Sequence, residues 1–107
     1  MAMVKLIVLL RNRSRQLGYG DGYNTFLMLV DDLPGLRRKA VSNVYAGPGG
    51  AAPFEAVVEL YFDDRAALRT ALTSPVGVEA GQKLLDFAGP DAVTLFAHVL
   101  EEEIDTG

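Results

Sequence analysis

The chain has 107 residues, half of them apolar and 22% charged, with a net charge of −4, which suits one globular domain with a core of its own. It contains no cysteine, which excludes disulfides, thiolate metal sites and cysteine nucleophiles. The acidic balance argues against nucleic acid as a partner, because phosphate binding asks for a basic face.

Met3 to Leu10 predicts a first strand, apolar on both faces apart from Lys5. The run is too short to span a membrane and lacks a small-residue cleavage site, so no membrane association is expected and the location is expected to be cytoplasmic. A polar stretch from Arg11 to Gln16 leads into Gly18-Tyr19-Gly20-Asp21-Gly22. Arginines ahead of a glycine loop and a helix start suit an anion. The third glycine of a dinucleotide fingerprint and its acidic residue are missing, however, so the expectation is a mobile solvated loop without nucleotide binding. Asp21 or Asn24 is the expected cap of a first helix, which must stop near Leu33, before Pro34-Gly35.

A second strand is predicted from about Leu36 to Ala46, then a hairpin loop over Gly47-Pro48-Gly49-Gly50. Phe54 to Phe62 alternates as a third strand: Phe54, Ala56, Val58, Leu60 and Phe62 point one way, Glu55, Val57, Glu59 and Tyr61 the other. Asp63 or Asp64 caps the next helix, Ser74-Pro75 restarts it, and Gly89-Pro90 ends it. A last strand, Ala92 to Leu100, precedes Glu101-Glu102-Glu103, expected to be a solvated end. The order is β-α-β-β-α-β with the second helix broken in two. That is the α+β, ferredoxin-like βαββαβ plan, an antiparallel sheet with helices on one face only.

The uncovered face carries the main inference. Ile7 and Leu9, with Val57, Tyr61, Phe96 and Leu100, are expected there, a patch unusual on a monomer. Burying four such side chains yields roughly 6–12 kcal/mol before association costs. The expected remedy is a homodimer packed through the open sheet face, closing a dimeric α+β barrel.

Three residues are candidates for proton chemistry. Glu59 lies mid-strand on the face expected to line the barrel, with Lys5 as its neighbour-strand partner; it is either a general acid or base, or half of a structural ion pair, and the pair is favoured. His98 is the single histidine, on the face of Thr94 and Phe96, and suits proton transfer near neutrality, although a structural role is the plainer account. Tyr61, and Tyr23 at the start of the first helix, offer phenolic donors to a small ligand. One histidine with scattered carboxylates matches no metal-ligand spacing, and no metal or other cofactor is expected.

Val4-Lys5-Leu6-Ile7-Val8-Leu9, Leu33-Pro34-Gly35-Leu36-Arg37-Arg38, Ala56 to Asp64 and Ala71-Leu72-Thr73-Ser74-Pro75, in this order and spacing, resemble the EthD family, named for ethyl tert-butyl ether degradation. The resemblance covers about Val4 to Val99. It implies a dimeric α+β barrel and an association with small-molecule degradation, without an agreed mechanism. It also implies a histidine in the first helix, about seven residues before the Leu of Leu-Pro-Gly. Phe26 stands there instead, within the apolar run Phe26-Leu27-Met28-Leu29-Val30. Two functions fit. One is an accessory dimer that binds a small apolar compound. The other is a cofactor-free enzyme, monooxygenase- or isomerase-like, with Phe26, Leu29, Val58, Leu60, Phe62 and Phe96 walling a cleft between sheet and helices. The lost histidine favours the first.

Overall fold

Val4, Leu6, Val8 and Leu10 are buried, whereas the residues alternating with them, Lys5, Ile7 and Leu9, are only half-buried. The sheet is therefore covered on one face. The computed structural model describes residues 3–13 and 19–102. Its elements are β1 (Val4–Arg11), α1 (Gly20–Asp31), β2 (Arg38–Asn43), β3 (Phe54–Phe62), α2 (Arg65–Thr73), α3 (Pro75–Phe87) and β4 (Ala92–His98), with a 3-10 turn at Gly89–Asp91 before β4. The strands form one antiparallel sheet in the order β2-β3-β1-β4, the ferredoxin-like arrangement expected of βαββαβ. Among the described residues no helix is long and apolar enough to cross a membrane.

The core lies between the sheet and the helices. Leu10, Val58, Leu60 and Phe62 from β1 and β3 meet Phe26 and Val30 of α1, Leu68 and Ala71 of α2 and Ala80 of α3. Phe26 and Val30 are four residues apart and share the inward face of α1; Met28 is 70% exposed. The apolar run thus serves mostly as the buried stripe of an amphipathic helix. Pro34 and Gly35 follow the end of α1, and Gly35 takes the left-handed conformation with φ of 77°.

Asp64 caps α2 by accepting the Ala67 N–H at 2.8 Å. Ser74 ends α2 and begins α3: its Oγ accepts the Gly77 N–H at 3.1 Å and donates to the Ala71 carbonyl at 2.6 Å. Gly81, on α3, has nothing within 4 Å of where a Cβ would stand. Gly81→Ala is therefore expected to stabilise the protein by about 0.5–1 kcal/mol, read as a raised midpoint in chemical denaturation.

Several expectations need correction. α1 begins at Gly20 with Tyr19 as its cap residue, and no side chain caps it; neither Asp21 nor Asn24 does so. Tertiary contacts fix this end: the Tyr19 hydroxyl donates to the Arg11 carbonyl at 2.6 Å, and its ring meets Phe87 edge-on at 5.8 Å. The described part of the preceding loop is also tied down. Arg13 stacks on Tyr19 at 3.9 Å and donates from Nε to Asp91 at 2.9 Å and from Nη2 to the carbonyls of Phe87 and Ala88. Arg15 and Gln16 lie outside the described residues. β2 is shorter than expected, and β4 ends at His98.

Phe96 pairs with Leu6, and so lies on the helix-covered face rather than the open one. Leu100 is past the end of β4 and 90% exposed. Glu102 is not merely solvated: it bonds Arg38 on β2, which takes the chain after β4 across the sheet. Glu103 lies outside the described residues.

Candidate functional site

Two adjoining spaces open on the helix-covered face. The inner one is a cavity of about 250 Å³ between the sheet and helices α1 and α3. Leu6, Val8 and Leu60 form its floor, Phe26, Val30 and Leu33 one wall, and Gly77, Ala80, Gly81 and Leu84 the other. Gly81 leaves room on the α3 side, since nothing lies within 4 Å of where its Cβ would stand. Thr94 contributes the one side-chain hydroxyl. The outer space, a groove of about 510 Å³, runs between α2 and the end of β4, with Arg65, Arg69 and Thr73 on one side and His98 on the other. Leu72 and Phe96 line both spaces, and Phe96 is 64% exposed at their boundary.

The residues singled out from sequence divide between the two faces of the sheet. Phe26 and Phe96 line the inner cavity. Phe62 is fully buried in the core, and Leu29 packs half-buried against it; neither lines either space. His98 pairs with Val4 and faces the groove. Glu59 and Tyr61 pair with Ile7 and Lys5 in β1 and occupy the opposite, open face. There Lys5 Nζ donates to Glu59 Oε2 at 2.8 Å, and this bond, outweighing the desolvation of the ammonium, holds the Lys5 pKa above its ordinary value. Tyr61 is only 5% exposed, covered by the Lys5 ammonium at 5.5 Å and the Arg38 guanidinium at 4.7 Å from its ring centre.

The sheet therefore separates His98 from Glu59 and Tyr61 within one chain, and the three do not converge on a common reacting atom. Glu59 has the geometry of an ion pair in a polar strip.

Tyr23 belongs to neither space. It packs on Phe87 at 5.9 Å and Tyr19 at 6.5 Å. Its hydroxyl is buried with no hydrogen-bond partner among the described residues. Burial chiefly, and the negative charge of Glu55 secondarily, push its pKa up and keep the phenol neutral.

Arg65, Arg69 and Thr94 were not among the residues the sequence pointed to. Two arginines four apart on a helix read as an ordinary solvated face. The signal that distinguishes them is tertiary: with Leu72 of the same helix they border a groove whose other side is the end of β4.

No family sequence profile matches the chain, and no curated protein matches it. Solved structures do. A crystal structure of an EthD family protein from Bacillus halodurans shares 30% identity over 95% of this chain and 99% of its own, with a TM-score of 0.82. A dimeric ferredoxin-like protein of unknown function from a Jannaschia species shares 19% identity over 91% of this chain and 99% of its own, with a TM-score of 0.74. A hydroxynitrile lyase from Passiflora edulis shares 18% identity over 95% of this chain and 97% of its own, with a TM-score of 0.72. The last two likenesses establish the fold; the first, at 30% identity over almost the whole of both chains, places this protein in the EthD family.

Proposed function

We propose that the protein is a homodimer that binds a small apolar compound in the cleft between its sheet and its helices, as an accessory to the degradation of such compounds. The observation that carries this reading is the inner cavity, walled by aliphatic and aromatic side chains with Thr94 alone offering a hydroxyl. Water in such a space has few groups to bond, and its replacement by an apolar body gains about 25 cal/mol per Å² of surface buried. The exposed Phe96 at the boundary supplies an entrance that a ligand would cover.

The dimer rests on the open face, where Ile7, Leu9 and Val57 are half-buried and Leu95 is 47% exposed, and on the dimeric state of the Jannaschia relative. The competing reading, a cofactor-free enzyme moving a proton on an apolar substrate, draws on the hydroxynitrile lyase through likeness of fold, which carries no activity with it. The division of Glu59 and Tyr61 from His98 weighs against it.

Titration of the labelled protein with toluene tests the cavity by NMR. The methyl signals of Val8, Leu60 and Leu84 are expected to shift saturably, and Gly81→Leu, which places a side chain into the open space beside α3, is expected to suppress the effect. Unmoved signals in the parent protein would overturn the reading.

A further inference from the structure

We infer that the mouth of the cleft recognises a carboxylate, so that the preferred ligand is an apolar acid carrying one negative charge. This deepens the cleft reading and rests on it. The chain has 14 acidic and 10 basic side chains, so its cations have acids to spare. Lys5, Arg13, Arg37, Arg38 and Lys39 each close an ion pair. Arg11, Arg65, Arg69 and Lys83 close none among the described residues, and of these Arg65 and Arg69 line the groove of about 510 Å³.

Their spacing on α2 brings them to one flank of the helix, one turn apart. Across the groove stands His98, whose imidazole adds a third polar group. A guanidinium holds a carboxylate through two parallel N–H···O bonds, a geometry that a lysine does not offer. The charge nearby favours a monoanion. Asp63, held by Arg37 at 2.8 Å, and Asp64, bonded to the Ala67 N–H at 2.8 Å, immediately precede Arg65 and disfavour a dianion such as phosphate.

The rest of the ligand follows from the shared wall. A head group between the arginines and His98 leaves its body against Leu72 and Phe96, the two side chains that also face the inner cavity. That cavity, about 250 Å³, equals roughly eight water molecules at ~30 Å³ each and suits a single ring. The class is then a monocyclic or short branched carboxylic acid.

Calorimetric titration with phenylacetate, with the neutral phenylacetamide and with inorganic phosphate separates the possibilities. Phenylacetate is expected to bind about tenfold or more tightly than the amide, as hydrogen bonds to a charged group imply, and phosphate alone is expected to bind negligibly. The double variant Arg65→Gln, Arg69→Gln is expected to lose the preference for the acid over the amide. Equal affinity for acid and amide in the parent, or a preference that survives in the double variant, overturns the carboxylate assignment and leaves the cavity reading standing. Phosphate binding as tightly as phenylacetate overturns it too, by showing a plain anion groove. Failure of both organic probes removes the cavity reading along with it.

Discussion

Gly77→Ala is expected to destabilise the protein by roughly 3 kcal/mol, at the upper end of what overpacking costs. In a chain of this size that lowers the melting temperature by on the order of 10–20 °C. A Cβ at position 77 would stand 2.1 Å from the Ala71 carbonyl oxygen and 2.9 Å from the Leu72 Cα and carbonyl carbon. These are backbone atoms at the end of α2, so no side-chain rotation relieves the clash. Ala71 is fully buried, which prevents its turn of helix from retreating. The close approach is set up by Ser74, which bonds both the Ala71 carbonyl and the Gly77 N–H and so fixes where α3 starts against α2. Relief requires α3 to move outward, and α3 forms one wall of the inner cavity. Gly81→Ala in the same helix has the opposite expected sign. Thermal denaturation of the two variants side by side separates the close approach from helix propensity. A Gly77→Ala protein as stable as the parent would show that the α2–α3 junction is looser than its packing implies.

The same junction shows which parts of the fold were legible in the sequence. Ser74-Pro75 announces a cap and a first helical residue by local chemistry alone, and both occupy those places. Phe54 to Phe62 alternates without interruption, and β3 has those bounds. Where local chemistry and tertiary packing compete, the sequence points elsewhere. Asp21 and Asn24 are better caps than Tyr19, but contacts with Arg11, Arg13 and Phe87 start α1 at Gly20.

β4 poses a different difficulty. Val93, Leu95 and Ala97 are wholly apolar, whereas Thr94, Phe96 and His98 set one aromatic between two polar residues, yet it is the mixed set that faces the helices. An edge strand with two partly exposed faces carries little parity signal. Only the pairing of Phe96 with Leu6 decides the face, and with it the composition of the cleft. The Lys5–Glu59 pair was legible because both residues interrupt apolar strands. Arg65 and Arg69 interrupt nothing on an exposed helix, and their meaning depends on what lies across the groove.

Ile7→Lys is expected to turn the proposed dimer into a monomer while leaving the protomer folded. Ile7 lies at mid-strand on β1, flanked across the sheet by Glu59 on β3 and Leu95 on β4, on the face that no helix covers. In a single protomer a lysine is tolerated there, because the position is half-exposed and water reaches the charge, while Glu59 is already held by Lys5. In a two-fold dimer closed through this face the same change occurs twice, since both copies present the same patch. Each uncompensated charge at a buried interface costs roughly 3–5 kcal/mol, so the pair weakens association by at least four decades. Dissociation of that size takes a nanomolar dimer beyond the concentrations used in native mass spectrometry. The control is Val78→Lys, at a 62% exposed position on α3, which is expected to leave the dimer mass unchanged. Circular dichroism of both variants should match the parent. A dimer that survives Ile7→Lys but dissociates with Val78→Lys would transfer the interface to the helices. A parent protein that runs as a monomer would leave Ile7, Leu9, Val57 and Leu95 facing water, and the open-face argument would fail with it.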